Sequence, residues 1–102
     1  MTTRRFPAND LPWTSQADGV RHKLVISDGR KVRLVEFATG FAEADWCCAA
    51  HIGYVLEGRL EVAFADAGEV FCPGDIIMIG AGDKHRARVI EGPVRLSLVE
   101  EA

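Results

Sequence analysis

The sequence predicts an all-β protein built as a sandwich or a barrel. From Val20 onward, short runs rich in valine, isoleucine, phenylalanine and tyrosine follow one another along the chain. Turn signals separate these runs about every 8–12 residues, which is the spacing typical of such β folds. The chain has 102 residues, of which 48% are hydrophobic, so it is long enough and apolar enough for one buried core.

The first nineteen residues differ in character from the rest and predict an irregular arm. They include several residues that favour turns and irregular backbone: Pro7, Asn9, Asp10, Pro12, Asp18 and Gly19. We therefore expect an arm over residues 1–19 and a β-barrel domain over residues 20–102. Apolar side chains of the arm are suited to dock on the body or on a second subunit, and exposed sheet edges need covering. Both features predict a homodimer.

The strands of the domain are predicted in chain order from the turns that bound them. "VRHKLVIS" and "VRLVEFA" flank an Asp28-Gly29 turn, where glycine accepts the positive φ of a tight hairpin. Residues 41–50 are interpreted as a loop entering the next strand, because no apolar stripe supports a helix. A second hairpin is expected at Glu57-Gly58, between "HIGYVLE" and "RLEVAFA". The remaining strands are "EVFC", "IIMI", "RARVI" and "VRLSLV", with a turn expected at "EGP".

Composition and charge exclude several classes of partner. The net charge is only −3 and no long basic block exists, so we expect no nucleic-acid binding. The N terminus shows no secretory signal, and no uncharged apolar run approaches the ~20 residues that span a bilayer. We expect a soluble, cytoplasmic protein without membrane contact. The three cysteines, an odd number, fit a reducing compartment, although a bridge from Cys72 to Cys47 or Cys48 stays open.

The stretch "DWCCAAHIGYV" places metal-binding side chains in alternation. If the strand begins a few residues early, Asp45, Cys47 and His51 share one face, since side chains alternate along a strand. A carboxylate, a thiolate and an imidazole are donors for zinc or a late first-row transition metal. Small Ala49 and Gly53 on the same face would leave room for a ligand.

A metal site in a barrel needs a further donor from a second segment. The chain has only three histidines, and His85 closes the loop "GAGDKH", whose glycines allow a sharp approach to the core. His22 lies between Arg21 and Lys23, which predicts a solvated strand face. His85 is therefore the expected partner of His51.

Two segments of the chain resemble the motifs of the cupin superfamily. "FCPGDIIMIGAGDKHRARV" is similar to the second cupin motif, whose landmarks fall at Gly68, Pro73, Gly74 and His85. "GYVLEGRLEV" is similar to the end of the first motif. The resemblance covers residues 32–100 and implies a double-stranded β-helix, or jelly-roll, barrel that holds a metal ion.

The first motif departs from the family pattern at its ligand positions. When the first motif is aligned on the expected hairpin, the resemblance implies four metal ligands: Asp45, Cys47, His51 and His85. Of these, only His85 is the residue that the family usually has at that position. A rival register makes Glu57 the carboxylate ligand but places it at the hairpin tip. For Cys47 the alternative is a small buried hydrophobe. For His51 and His85 the alternative is that the protein has lost its metal and that the two side chains are hydrogen-bonded in a polar pocket.

The resemblance implies a small metal-binding cupin with a ligand pocket in the barrel mouth. The metal would be a divalent transition metal (zinc, iron, nickel or manganese) and the ligand a small metabolite. Cupins include dioxygenases and isomerases, so metal-dependent catalysis on such a metabolite is one expectation. The alternative is a non-catalytic metabolite-binding or sensor protein, with or without metal, because catalytic cupins usually keep the histidine pair that this chain lacks.

Overall fold

The computed structural model describes residues 4–102, and this part of the chain is built from antiparallel β-strands. One 3₁₀ turn, Ala8–Asp10, precedes them. The described residues include no helix that is long and apolar enough to cross a bilayer. The strands are, in chain order, β1 (Thr14–Ala17), β2 (Val20–Ser27), β3 (Arg30–Phe37), β4 (His51–Phe64), β5 (Gly68–Phe71), β6 (Ile76–Ile79) and β7 (His85–Glu101).

The described strands form one seven-stranded sheet in which β4 and β7 are the central pair. The order of neighbours is β1-β2-β3-β7-β4-β5, and β6 pairs with the first half of β4. The predicted all-β architecture is confirmed. The predicted arm is only partly irregular, since it contains β1, which pairs with β2 of the predicted domain. Residues 1–3 of the arm lie outside the described residues.

The hairpin between β2 and β3 forms where the sequence predicts it. Asp28 and Gly29 both adopt positive φ values, 53° and 72°. Ser27 and Arg30 pair directly across the turn, and the register continues to Val20 opposite Phe37. Two consecutive left-handed residues match the twist of the flanking strands, which is why this Asp-Gly turn closes tightly.

The predicted hairpin at Glu57-Gly58 is wrong, and so is the predicted turn at "EGP". The chain does not reverse at either place, because β4 and β7 continue through them and remain paired with each other. The ladder instead shifts register around Glu57, as at a β-bulge. Gly58 has φ +80°, and a Cβ there would lie 2.4 Å from the carbonyl oxygen of Pro93. Gly58 therefore allows the strand to bend and to approach β7 closely, and it does not form the tip of a hairpin.

The core lies between the inner faces of the bent sheet. Val55 and Val94, on the two central strands, are fully buried. Alternation along the strands sends every second side chain inward, as in β6, where Ile77 and Ile79 are buried. The other buried hydrophobic residues are Val35, Leu60, Val62, Ala87, Val89, Leu96 and Leu98.

The outer face of the sheet carries a row of paired charges. The Nε of Arg21 donates to Glu36 Oε1 at 2.7 Å, and the Nε of Arg95 donates to Glu36 Oε2 at 2.8 Å. The hydrogen bond from Arg21, followed by that from Arg95, holds the pKa of the Glu36 carboxyl below its ordinary value of 4.5, although desolvation opposes the shift. One carboxylate thus ties β2 and β7 together across β3.

Glu36→Gln is expected to lower the free energy of unfolding by about 1 kcal/mol near neutral pH, because two arginines lose a charged partner. A lowered pKa in the folded state means that this stabilisation is present above pH 4.5 and is lost as the pH falls through the folded pKa. Denaturant titrations should therefore show the wild type and the variant converging below pH 4.5. Glu61→Gln is the control, since Glu61 is more exposed and Arg88 is its one ion-pair partner among residues 4–102. If the difference in free energy of unfolding between the wild type and Glu36→Gln stayed constant at acidic pH, the stabilising role of the Glu36 carboxylate would be wrong.

Candidate functional site

A cavity of about 420 Å³ opens into the interior of the barrel. Its walls are mainly aliphatic and aromatic side chains of the core. The polar groups that line it are few: Gln16, Arg33, Glu43, Cys47, His51 and His85. An apolar pocket with a small number of convergent polar groups is the usual form of a small-molecule site.

Three side chains whose donor atoms could hold a metal ion meet in this cavity. One donor atom from each of Cys47, His51 and His85 lies within 4.8 Å of the other two. The imidazole centroids are 5.2 Å apart, with the ring planes inclined at 77°. The two histidines therefore converge inside the barrel, and Cys47, which the sequence predicts as a third donor, lies beside them.

Backbone pairing positions Cys47 beside His85. The amide of Cys47 donates to the carbonyl of His85 at 2.8 Å, and the amide of His85 donates back to the carbonyl of Cys47 at 2.9 Å. His85 is the first residue of β7, whereas residues 48–50 have no regular structure. Cys47 thus reaches the site through a bridge to β7 and not through an early start of β4.

A backbone carbonyl orients the ring of His85. Its Nδ1 lies 2.9 Å from the carbonyl oxygen of Asp83. A carbonyl oxygen only accepts hydrogen bonds, so Nδ1 carries a hydrogen and Nε2 is the ring atom left to act as a metal donor. Metal-binding histidines are commonly oriented by such a bond from the second ring nitrogen. His85 is also buried, with 3% of its surface exposed.

His51, the first residue of β4, has an unsatisfied ring nitrogen. Its Nδ1 is buried and has no hydrogen-bond partner among the described residues, and Glu100 Oε2 lies 3.9 Å away. Glu100 is held by Arg33, whose Nε and Nη2 both donate to its carboxylate. Burial lowers the pKa of His51, and the neighbouring His85 lowers it further. The imidazole is therefore neutral near pH 7, which is the form that binds metal.

The donor chemistry of the cluster fits a transition metal. A thiolate and two imidazoles form a set that zinc and late first-row metals accept. The amide of Ala49 donates a hydrogen bond to Cys47 Sγ at 3.5 Å. A donor at this position would stabilise the thiolate form that binds metal. The unpaired Nδ1 of His51 faces Glu100 Oε2 at 3.9 Å, so the Glu100 carboxylate lies beside the ring and would help to orient it if His51 held a metal ion.

Asp45, the fourth predicted donor, does not join this cluster. It lies in the loop before Cys47 and is exposed. The carboxylate of the rival register, Glu57, is also outside the cavity, with its Oε2 3.6 Å from Arg95 Nε and its side chain 53% exposed. The structure therefore brings together three of the four residues that the resemblance implied.

Sequence reasoning missed two carboxylates that lie at or beside the cavity. Glu100 follows Leu96 and Leu98 on the inward positions of β7, so strand alternation could have indicated it. Glu43 lies in the cavity wall, and its Oε1 accepts a hydrogen bond from the Ala87 amide at 3.1 Å. It belongs to an irregular segment, where no periodicity could have pointed to it.

The remaining sequence-based assignments concern His22 and the cysteines. His22 is half-buried, with its Nδ1 3.3 Å from Arg33 Nη1, so the predicted solvated position is only partly right. All three cysteines lie in the described part of the chain and are free thiols, which leaves no bridge from Cys72. Asp75 Oδ2 accepts a hydrogen bond from the Cys72 amide at 2.7 Å and stabilises the turn before β6.

Comparison with known proteins supports the fold assignment. No family model and no curated protein matches the sequence. Among solved structures, KdgF from Halomonas sp. is 22% identical with a TM-score of 0.83, and the match covers 96% of this chain and 92% of that protein. An RmlC-like cupin from Shewanella frigidimarina is 15% identical with a TM-score of 0.77, over 99% and 93% of the two chains. A cupin-2 domain from Rhodospirillum rubrum is 18% identical with a TM-score of 0.71, over 99% and 74%.

The antiparallel β architecture of this chain is thus shared with these solved structures. The chain has the cupin fold, and the predicted jelly-roll architecture is confirmed. The resemblance that the two sequence motifs indicated is borne out at this level. Fold alone does not select a reaction, because the chemistry depends on the residues of the site.

Proposed function

We propose that this protein is a small metal-binding cupin that takes a metabolite in its barrel cavity. One divalent transition metal ion, of the class zinc, iron, nickel or manganese, would be held by Cys47, His51 and His85. The observation that carries this proposal is the convergence of their three donor atoms within 4.8 Å at the wall of the cavity. Three protein ligands leave a coordination position for water or for the metabolite, as in catalytic metal sites.

The chain's own residues define what the cavity would bind. Arg33 is neutralised by Glu100, so it adds little net positive charge to the cavity. Most of the wall is apolar, including Phe37 and Phe71. We therefore expect a compact metabolite with an apolar body and one polar group that faces the metal donors. A bound metal would act as a Lewis acid toward that polar group.

The alternative function is metabolite binding without turnover, as in a sensor protein. The apolar character of the cavity wall favours it, because binding needs burial whereas turnover also needs a group that transfers protons. Glu43 is the carboxylate in the wall that could serve an enzyme in this way. Screening metabolites for thermal stabilisation, followed by product analysis of the hits, separates the two functions.

Metal titration of the chelator-treated protein, purified without a histidine tag, tests the proposal. We expect one zinc or cobalt ion per chain by calorimetry and elemental analysis, and loss of that stoichiometric binding in His51→Ala and His85→Ala. His22→Ala is the matched control, since His22 lies outside the cluster and should leave binding unchanged. Absence of stoichiometric metal in the folded wild type, or equal loss in the His22 variant, would contradict the proposal.

We also propose a cytoplasmic location. Free thiols at all three cysteines support it, because oxidising compartments favour disulfides. Fractionation of cells that produce the protein, probed with an antibody against it, would test this location.

A further inference from the structure

The strand β1 lies at the rim of the interior cavity. Its residues Gln16 and Ala17 line the cavity, and within residues 4–102 they are the two lining residues that are exposed, since the others are buried or half-buried. The part of the cavity wall that borders solvent is therefore formed by β1. We propose that β1 is a movable cover over the cavity mouth, which Arg33 latches through Gln16 and His22 and which protonation of His22 releases.

Burial of apolar surface does not hold β1 in place. All four of its residues are exposed. β1 is also the end strand of the sheet, and its pairing with β2 shifts register between Ser15 and Ala17. Apolar burial is the main source of stability in a folded protein, so a strand that buries little can open locally at a low cost in free energy. The position of β1 therefore depends on its polar contacts.

The chain is anchored on both sides of β1. Before the strand, Trp13 packs over Arg21 and Lys23 of β2, with distances to the ring centroid of 4.1 Å and 4.9 Å. After the strand, Gly19 turns the chain into β2, and its carbonyl accepts a hydrogen bond from the Ala38 amide at 2.9 Å. Opening is therefore expected to be confined to the short segment between these two anchors.

Arg33 holds β1 through one nitrogen that serves two acceptors. Its Nη1 donates to Gln16 Oε1 at 3.0 Å and lies 3.3 Å from His22 Nδ1. A guanidinium only donates hydrogen bonds, so His22 Nδ1 is the acceptor and the ring is neutral, with its hydrogen on Nε2. The Nε and Nη2 atoms of Arg33 both donate to the Glu100 carboxylate. Glu100 therefore fixes the guanidinium where it meets Gln16 and His22.

His22 connects the latch to the pairing of β1. It lies opposite Thr14 in the β1–β2 ladder and opposite Val35 in the β2–β3 ladder. Directly opposed residues point to the same face of a sheet, so His22 shares the inner face with the buried Val35 side chain. A shift of the His22 ring would therefore disturb both its contact with Arg33 and the strand pair that carries Gln16.

Protonation of His22 would break the latch. A hydrogen on Nδ1 removes the acceptor for Arg33 and leaves two cations in contact. The charged groups that face His22 are Arg33 and Lys31 of β3 and Glu100 of β7, whereas β1 has no charged residue. Burial lowers the pKa of His22 from 6.5, Arg33 and Lys31 lower it further, and Glu100 opposes the shift. A lowered pKa in the closed state means that the latch holds near neutral pH and weakens as the pH falls below 6.5, because release takes up a proton.

The closed position of β1 also affects what the cavity can bind. Because Gln16 Oε1 accepts from Arg33, the amide nitrogen Nε2 of Gln16 remains available to donate to an acceptor on a ligand. Release of β1 would withdraw this donor and widen the mouth, so acid would favour discharge of a bound metabolite. The inference does not rest on the proposed metal site, since Cys47, His51 and His85 are not part of the latch.

Amide hydrogen exchange followed by mass spectrometry tests the inference, with each rate corrected for the intrinsic effect of pH. When the pH is lowered from about 7.5 to about 5, we expect exchange in β1 of the wild type to become about 3–10-fold faster, because release binds one proton. Residues 94–98 of β7 should stay protected throughout, which distinguishes release of β1 from unfolding of the whole protein.

Three variants make the test specific. His22→Asn keeps an acceptor near the position of Nδ1 but does not titrate, so exchange in β1 should lose its pH dependence. Gln16→Ala should make exchange in β1 faster at every pH, because Arg33 loses its acceptor on the cover. Ser15→Ala is the matched control and should behave as the wild type, since Ser15 lies opposite Arg21 and does not line the cavity.

Three results would overturn the inference. They are exchange in β1 of the wild type that does not respond to pH, a pH response that persists in His22→Asn, and equal effects of Gln16→Ala and Ser15→Ala. If His22→Asn failed to fold, His22→Gln would serve in its place, since it also accepts a hydrogen bond without titrating. Metal binding is measured separately in the same samples, so the fate of the latch is not confused with that of the metal site.

Discussion

Gly53→Ala is expected to destabilise the protein by about 3–5 kcal/mol, or to prevent it from folding, because a methyl group does not fit there. A Cβ on Gly53 would lie 1.9 Å from the carbonyl oxygen of Ser97 and 2.8 Å from Leu98 Cδ2. The oxygen belongs to the backbone of β7, the long partner of β4, and it cannot move without breaking the ladder. Denaturant unfolding monitored by circular dichroism would measure the loss.

Gly80→Ala is the matched control for this prediction. Gly80 lies in the loop before β7, has no left-handed φ, and has nothing within 4 Å of the position of its Cβ. Its substitution should change the free energy of unfolding by less than about 0.5 kcal/mol. If Gly53→Ala proved as stable as Gly80→Ala, the close approach of β4 and β7 would be wrong. The sequence suggested that Gly53 leaves room for a ligand, but its role is to admit the neighbouring strand.

Cys47→Ser is expected to weaken metal binding by roughly 100-fold or more, because changes to residues that merely orient a ligand already cost about 10–100-fold. Serine is nearly the same size as cysteine, but its hydroxyl is a poor metal donor at neutral pH. The two histidines that remain would bind an ion weakly. In the cobalt-loaded protein, the charge-transfer absorption from sulfur to metal should disappear in the variant. Competition with a chromophoric chelator would measure the change in affinity.

Cys48→Ser provides the control within the same dipeptide. Cys48 is exposed and is not part of the donor cluster, so its substitution should leave affinity and spectrum unchanged. A sulfur-to-cobalt band that survives in Cys47→Ser but is lost in Cys48→Ser would show that the wrong thiol was assigned. If both variants bound the metal with unchanged affinity, Cys47 would be a packing residue and not a ligand.

Local sequence predicted the turns whose geometry depends on the turn residues themselves. Asp28-Gly29 closes a hairpin because two adjacent residues tolerate positive φ. Gly58 has the same backbone property, yet it produces a bulge within a continuous strand. A positive φ is required in both cases, so the local signal could not distinguish them. The pairing of β4 with β7 along almost its whole length made the difference.

The candidate site was predicted in part. His51 and His85 were singled out because histidines are scarce in the chain and because the second cupin motif ends on His85. Cys47 was predicted from strand alternation. In the structure it does not belong to β4, and an isolated β-bridge to His85 places it at the site. The same alternation implied Asp45, which is exposed because the chain before Cys47 is an irregular loop and not a strand.

The sequence by itself determined the β class, the first hairpin and the residue types able to hold a metal. These properties depend on residue chemistry and on contacts between near neighbours. Only the tertiary structure decided that β4 and β7 run unbroken, that Asp83 and Glu100 flank the two histidines, and that Ile76 and Met78 of β6 are exposed. These features depend on the register between strands that are far apart in the chain. That register is set by the burial of the whole sheet, which no short segment encodes.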